Sequence, residues 1–418
     1  MYKKIFILFS IIFVFFLTSC EYEERDYYKE IDSYINYLIE ESTPEYPLWN
    51  KEKILNNKET KWNYIDGCVT ISLISLYDYT NESKYFNFVK DYIDYFIYDD
   101  GSLLGYKEKE LDSISESRVL IDLYNYTKND KYKKSIEYTY DKITKLDKTI
   151  EGSYYHKDIY PNQVWLDGLF MLLPFYTRYT YFNANNLDLD TKLEDIMTQY
   201  KNVRNNMFDE DIKLYYHGYD ASKTIFWANK ETGLSKNFWL RAMGWYLASI
   251  SDVYSYMEDE DNKLYLKNLL KEAIDGILEY QDLETKLFYQ VIDKKDYENN
   301  YLETSGSLLV AYSILKGVNI KALDESYKEI GLEIFENVCK YKLEVDEDNN
   351  EYKLKDICLS AGLGPENKPQ RDGSIEYYLS EEVVSNDGKG IGPLIMAYTE
   401  ALKLKENKLW KIKISYKL

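Results

Sequence analysis

The chain has 418 residues and a formal net charge of −20, from 52 lysines and arginines against 72 aspartates and glutamates. So acidic a surface repels nucleic acid and anionic lipid headgroups, which excludes both as general partners. Its 46 tyrosines and 7 tryptophans supply more aromatic surface than packing alone needs, as expected where rings stack on sugars or line a cleft.

The N-terminus is typical of an export signal. Lys3 and Lys4 precede an apolar run over 5–16, which is too short to span a membrane. The run ends in Leu17-Thr-Ser-Cys20 and resembles a bacterial lipoprotein signal. This implies cleavage before Cys20, lipidation of Cys20, and a periplasmic or cell-surface protein anchored by its lipid. A plain signal peptide is the alternative.

Helical periodicity begins after this signal and continues along the chain. Apolar residues recur at helical spacing in twelve segments. The predicted helices span 26–41, 62–79, 83–98, 112–127, 130–146, 163–182, 190–208, 236–257, 261–281, 303–317, 324–343 and 391–405. The predicted organisation is a signal at 1–19, a tether at 20–25 and a single domain at 26–418.

An internal repeat predicts how the helices pair. Leu76–Tyr85 ends one helix, turns through polar residues and starts the next, and Leu123–Tyr132 repeats this pattern 47 residues later. Val253–Tyr265 is a longer version. Repeated helical hairpins stack on their neighbours. An open solenoid and a closed ring both fit, and we expect an all-α closed ring of six hairpins, an (α/α)6 barrel.

In such a barrel the long loops on one rim form the site. The irregular segments are 43–61, 99–111, 147–162, 209–235, 282–302 and 344–390. The last is too long for a connector, and we expect it to cover part of the cleft.

Three cysteines remain beyond Cys20. Cys68, Cys339 and Cys358 have no metal-ligand spacing. Cys339 and Cys358 could pair in an oxidising compartment, although buried free thiols are the favoured interpretation.

One acid stands out within an apolar helix. Asp167 lies among Val164, Trp165, Leu166 and Leu169. Desolvation by such neighbours raises the pKa of a carboxyl, which suits a group that holds and then delivers a proton near neutral pH. A helix cap or an ion pair with an arginine is the alternative.

Further candidates lie in the loops and at helix starts. The chain has two histidines, His156 and His217, and each follows a pair of tyrosines. Arg241 and Trp245 share one helix face, which places a cation beside an aromatic platform, while Trp239 projects toward the helix mouth. Asp112 is a natural helix cap. Two carboxylates across a cavity are typical of glycosidic chemistry, so Asp112 and Asp167 form the leading pair.

These stretches resemble the unsaturated glycuronyl hydrolases of glycoside hydrolase family 105, rhamnogalacturonyl type, with family 88 as a more distant relative. The matching motifs are Tyr160–Met171, His217–Asp220, Trp227–Ala228, Gly233–Trp245, Glu303–Ser305, Arg371–Ser374 and Lys389–Gly392. They cover nearly all of the mature chain, in order.

The resemblance implies an (α/α)6 barrel that hydrates the C4=C5 double bond left on a terminal uronic acid by a polysaccharide lyase. Asp167 matches the general acid/base and Asp112 the second acid. The implied substrate-binding residues are His156, Gln163, Trp165, His217, Trp239, Arg241 and Trp245. No metal and no cofactor are implied, and we expect a monomer acting on small oligosaccharides from pectin.

Two other functions remain open. An ordinary inverting glycosidase on the same barrel would act on saturated sugars. A glycan-binding lipoprotein without catalytic activity could use the same Trp-rich cleft. A helical scaffold for protein partners is disfavoured, because its concave face should not concentrate tryptophan, histidine and a buried aspartate.

Overall fold

The computed structural model describes residues 25–186 and 188–415, so the predicted export signal and Cys20 lie outside it. This part of the chain forms fifteen α-helices and six short strands. The helices are α1 (Tyr27–Glu41), α2 (Lys51–Asn56), α3 (Tyr64–Thr80), α4 (Ser83–Asp94), α5 (Asp112–Ser115), α6 (Arg118–Thr127), α7 (Asp130–Ile143), α8 (Leu166–Phe182), α9 (Leu189–Met207), α10 (Leu240–Tyr256), α11 (Glu260–Leu278), α12 (Thr304–Asn319), α13 (Lys328–Lys342), α14 (Ile375–Ser380) and α15 (Gly388–Ser415). The strands are β1 (Gln163–Trp165), β2 (Gly218–Asp220), β3 (Leu343–Asp346), β4 (Glu351–Leu354), β5 (Ile357–Cys358) and β6 (Val383–Val384), paired antiparallel as β1–β2, β3–β4 and β5–β6.

The long helices form a closed double ring. The inner helices α3, α6, α8, α10, α12 and α15 contact one another in that order, and α15 contacts α3 to close the ring. Each of α4, α7, α9, α11 and α13 packs on the inner helix before it, while α1 packs on α13 and α15. The predicted (α/α)6 barrel is therefore confirmed, and the open solenoid is excluded.

Burial distinguishes the two layers. In the inner helix α10 every residue from Leu240 to Val253 is buried. The outer helix α11 buries one stripe, with Leu266, Leu269, Leu270 and Ala273 at helical spacing. An inner helix thus packs on all sides, whereas an outer helix presents one apolar face to the ring.

The repeated turn joins inner to outer helices as predicted. Asn81 after α3 and Lys128 after α6 both adopt the left-handed conformation, with φ of 58° and 55°. Each donates its backbone N–H at 2.8 Å, to Tyr77 and Tyr124 respectively. The two segments therefore end their helices by the same cap.

Several predicted helix ends were wrong, because hydrogen bonds to other segments take precedence over periodicity. The helix predicted over 83–98 ends at 94, where Ile97 pairs with Leu103. The one predicted over 112–127 is broken at 116–117, where Glu116 accepts a hydrogen bond from the backbone N–H of Asn63. The helices predicted from 163 and 236 begin at 166 and 240, after extended residues.

The three cysteines of the described chain, Cys68, Cys339 and Cys358, are free and buried, as favoured above. Burial raises the pKa of each thiol. Over residues 25–186 and 188–415, we find no helix with the length and apolarity that crossing a membrane requires.

Candidate active site

The candidate residues meet at the rim where the inner helices begin. Asp167 and Arg241 each occupy the second position of their helix, α8 and α10, and Asp112 begins α5. The long loops predicted to form the site lead into these helix starts. Helix N-termini carry partial positive charge, so this rim favours a negatively charged ligand group.

Backbone pairing brings Asp167 and His217 together. Trp165 pairs with Gly218 in the β1–β2 ladder, and the N–H of Leu166 donates to the carbonyl of His217 at 3.1 Å. Asp167 Oδ2 consequently lies 3.3 Å from His217 Nε2. Neither atom has an aligned hydrogen-bond partner among the described residues. Both atoms are buried and face each other, so a small adjustment would let His217 and Asp167 share a hydrogen bond.

His217 is fixed on its other side by Tyr378. Its Nδ1 lies 2.7 Å from the Tyr378 hydroxyl, and both side chains are fully buried. The imidazole also packs between Trp239, at 4.8 Å between ring centroids, and the edge of Trp165, at 5.5 Å. Tyr378 belongs to segment 344–390, so the prediction that this segment covers part of the cleft is confirmed.

Gly218 makes this cover possible. A methyl group there would collide with Leu363 and come within 3.2 Å of Trp165 Cδ1. The absence of a side chain at 218 thus lets the segment that carries Leu363 pack directly on the Trp165 side of the site.

Asp112 is held by a lysine that the sequence analysis did not single out. Its Oδ2 lies 2.5 Å from Lys157 Nζ, and its Oδ1 lies 3.5 Å from His156 Nε2. Burial alone would raise the pKa of Asp112, but the charge of Lys157 and its hydrogen bond to the carboxylate outweigh burial and lower that pKa. Asp112 is therefore ionised near neutral pH and unsuited to donate a proton.

His156 lies between Asp112, which its Nε2 approaches, and the ring of Trp165. Its ring stacks on Trp165 with centroids 4.3 Å apart. Burial lowers its pKa to about 4, partly opposed by the charges of Asp112 and Asp167. The imidazole is therefore neutral near pH 7. Gly168, next to Asp167, allows this approach, because a methyl group there would lie 3.3 Å from His156 Nδ1 and 2.9 Å from Leu111 Cδ1.

The predicted cation–aromatic pair forms, but with a different tryptophan. The Arg241 guanidinium lies 4.8 Å from the ring centroid of Trp239, so the prediction of Trp245 as its platform was wrong. Trp239 precedes α10 in extended conformation and its ring folds back over the first turn. Trp245 instead packs on Phe170 inside the ring, with centroids 4.5 Å apart.

Arg241 is partly committed to the scaffold. Its Nη1 donates to the carbonyl of Cys358 and to Ser305 Oγ, and lies 3.9 Å from Glu303 Oε1. The other guanidinium nitrogens have no hydrogen-bond partner in the described part of the chain. They can therefore bind a carboxylate.

Gln163 hydrogen-bonds to two neighbouring residues of the site. Its backbone carbonyl accepts from the N–H of His156 at 2.9 Å, and its Oε1 accepts from Trp165 Nε1 at 3.2 Å. It therefore orients two neighbours that were predicted to bind substrate.

Sequence reasoning assigned no role to three residues at this rim, namely Lys157, Tyr378 and Lys389. Lys157 directly follows His156, and Tyr378 ends a pair of tyrosines like those before both histidines, so proximity to recognised motifs was the available signal. Lys389 is fully buried, with Nζ 3.0 Å from both Glu52 and Asp387. A buried ammonium held by two carboxylates is a structural element of the rim.

The closed ring of helical hairpins, with two carboxylates, two histidines and an arginine at its loop-rich rim, defines a carbohydrate-active enzyme of the helical toroid class. The chain belongs to the family described as Glycosyl Hydrolase Family 88, which it matches over residues 22–405. It is therefore a glycoside hydrolase, and the resemblance drawn from its motifs is confirmed.

Individual relatives agree with this assignment. A glycoside hydrolase of family 105 from C. acetobutylicum ATCC 824 is 36% identical with a TM-score of 0.78, and the match covers 84% of this chain and 97% of that one. Protein Atu3128 of Agrobacterium fabrum is 36% identical over 195 residues, which are 46% of this chain and 83% of its own length. The unsaturated rhamnogalacturonyl hydrolase YesR of Bacillus subtilis is 23% identical over 265 residues, 61% of this chain and 70% of its own length.

Proposed function

We propose that this enzyme removes Δ4,5-unsaturated galacturonic acid from the non-reducing end of rhamnogalacturonan oligosaccharides produced by a lyase. The observation that carries the proposal is the pairing of Asp167 with His217, at 3.3 Å, beside an Asp112 that remains ionised. The name of the relative YesR supports the rhamnogalacturonyl substrate.

The reaction begins by hydrating the C4=C5 bond. Asp167 delivers its proton to C4, and the positive charge that develops at C5 and the ring oxygen is stabilised by the nearby Asp112 carboxylate. The ionised Asp167 then takes a proton from a water molecule, whose oxygen bonds to C5. The product is a hemiketal, with one water added and the double bond lost.

The hemiketal then releases the neighbouring sugar. When the bond from C5 to the ring oxygen breaks, C5 becomes a ketone and C1 becomes a hemiacetal that carries the neighbouring sugar. Loss of that sugar as an alcohol leaves an aldehyde at C1. The glycosidic bond is thus broken without direct displacement at C1, so the enzyme needs no separate nucleophile.

Binding of the uronate follows from the charges at the rim. The free nitrogens of Arg241 supply a planar, charged donor for the substrate carboxylate, and the helix N-termini favour the same charge. These contacts distinguish an acidic terminal sugar from a neutral one.

The test is the loss of ultraviolet absorbance from the conjugated double bond, with lyase-digested rhamnogalacturonan as substrate. We expect turnover by the wild type and none by Asp167→Asn. Asp190→Asn is the matched control, because Leu189-Asp190 begins α9 as Leu166-Asp167 begins α8, but Asp190 is exposed on the outer layer.

Each other outcome of this test points to a different function. Turnover of saturated but not unsaturated substrates would identify an ordinary inverting glycosidase. Retained sugar binding without any turnover would identify a glycan-binding protein. Equal activity of Asp167→Asn and the wild type would remove Asp167 from the mechanism.

We also propose that the enzyme is a membrane-anchored lipoprotein, with its catalytic domain in the periplasm or at the cell surface. The sequence of residues 1–20 supports this proposal. Metabolic labelling with a fatty acid should mark the wild type and leave Cys20→Ser unlabelled. Unlabelled wild type would indicate a plain signal peptide.

A further inference from the structure

A separate cavity adjoins the Asp112 side of the candidate site. It has a volume of about 160 Å³ and lies between residues 50–65 and residues 107–113. Asp112 and Lys157 line both this cavity and the candidate site. A ligand that contacts Asp112 in the candidate site therefore lies next to this cavity.

The cavity is basic in an acidic protein. Five lysines and four carboxylates line it, whereas the chain as a whole carries a net charge of −20. Lys58 is paired with Glu52 at 3.0 Å, and Lys157 is paired with Asp112 at 2.5 Å. Lys53 donates to the hydroxyl of Thr60 at 2.6 Å and to loop carbonyls, so its ammonium is also engaged.

Two lysines are left without a full counterion. Among the described residues, no carboxylate oxygen lies within 4.0 Å of the Lys61 ammonium. Lys107 reaches Glu110 at 3.9 Å, and Glu110 is shared with Lys157 at 3.7 Å. Burial, followed by the charge of Lys107, lowers the pKa of Lys61. An anion between Lys61 and Lys107 would relieve this repulsion.

We propose that Lys61 and Lys107 bind a second anionic group of the substrate, carried by a sugar beyond the unsaturated uronyl residue. The ligand chemistry is a carboxylate or a sulfate ester on an oligosaccharide. This inference rests on the proposed function, since it concerns the rest of the same substrate. It assigns the enzyme to acidic oligosaccharides rather than to uronyl sugars linked only to neutral ones.

The experiment compares three unsaturated uronyl oligosaccharides of equal length. One is extended by neutral sugars only, one contains a second uronate, and one contains a sulfated sugar. We expect the wild type to show a KM about tenfold lower for an acidic extension than for the neutral one, the effect of one charge-assisted hydrogen bond at a partly exposed site. The carboxylate and sulfate arms identify which anion is preferred.

Variants at the two lysines locate the effect. Lys61→Met and Lys107→Met should each reduce the ratio of acidic to neutral KM values toward one, and Lys61→Arg should keep most of it. Lys133→Met is the matched control, because Lys133 is an exposed lysine of the outer helix α7 that does not line the cavity. The preference should also weaken as salt is added.

Failure of this inference is distinguishable from failure of the proposed function. Binding of the same oligosaccharides to Asp167→Asn by calorimetry requires no turnover. Equal affinity for the neutral and acidic ligands, or an undiminished preference in Lys61→Met combined with Lys107→Met, would overturn the inference. Absence of turnover with every ligand would overturn the proposed function alone.

Discussion

Tyr378→Phe removes one hydroxyl from the candidate site and leaves the aromatic ring in place. That hydroxyl lies 2.7 Å from His217 Nδ1, and His217 Nε2 lies 3.3 Å from Asp167 Oδ2. When the hydroxyl donates to Nδ1, the histidine proton resides on Nε2 and faces Asp167. Tyr378 therefore holds the His217 tautomer that stabilises the carboxylate form of Asp167, which must take a proton from water.

The magnitude follows from complete burial of both side chains. Phenylalanine leaves His217 Nδ1 buried without a partner, which costs about 1–3 kcal/mol. A rise of about 1.4 kcal/mol in the barrier slows a reaction about tenfold. We therefore expect the free energy of unfolding to fall by about 1–3 kcal/mol and kcat/KM to fall about tenfold.

Tyr377→Phe is the matched control. Its hydroxyl accepts hydrogen bonds from the Gly362 N–H and from Arg371 Nε, both at 3.0 Å, and does not contact His217. Stability is measured by urea unfolding, and activity by loss of the double-bond absorbance across pH. If the two variants lost equal stability and equal kcat/KM, Tyr378 would only anchor its segment and would not set the His217 tautomer.

Three further changes test other parts of the rim and ring. Lys157→Met removes the charge that lowers the pKa of Asp112, so that pKa rises. The acidic limb of the kcat/KM profile should therefore shift to higher pH. An unshifted limb would show that the reaction does not need ionised Asp112. Burial, and then the charge of Asp66, raises the pKa of the fully buried Glu116. The stability from protonated Glu116 is present below its unfolded pKa and is lost as pH rises through the folded pKa. In urea unfolding, Glu116→Gln should therefore be about 1–3 kcal/mol more stable than the wild type at pH 7 and little more stable at pH 4. Equal gains at both pH values would contradict this. Arg241→Lys should raise KM for a uronyl substrate more than for its carboxyl-reduced form, and equal increases would remove Arg241 from carboxylate recognition.

The helical architecture could be predicted because it depends on periodicity. Leu76–Tyr85 and Leu123–Tyr132 have matching polar turns, and the structure gives both the same left-handed cap. An inner helix is buried on all sides, as in Leu240–Val253, and such a segment must be enclosed by other helices. Closure of the ring was an expectation rather than a derivation, because hairpin repeats alone fit a solenoid equally well.

The contacts within the site could not be predicted in the same way. The sequence offers two tryptophans near Arg241, Trp239 and Trp245, and does not decide which of them the guanidinium contacts. Trp239 is the neighbour because the backbone before α10 is extended. Likewise, the three-residue strand at Gln163–Trp165 is set by its pairing with Gly218–Asp220, far along the chain. Local spacing contains no information on such long-range pairs. The ion pair of Lys157 with Asp112 is hidden from sequence for the same reason.

Asp167 and Arg241 are held by the same structural device in two different hairpins. In each, an extended tryptophan is followed by a buried leucine, Leu166 or Leu240, whose N–H donates to a loop carbonyl at 3.1 or 3.0 Å. The functional residue comes next, in the first helical turn. A carboxylate is stabilised there by the helix dipole, whereas a cation is destabilised. The Cys358 carbonyl, the hydroxyl of Ser305 and the more distant Glu303 offset this cost for Arg241. Arg241 thus keeps a positive charge at a helix N-terminus, where the dipole destabilises it. An anionic ligand best explains this placement, and the carboxylate of a uronic acid meets that requirement.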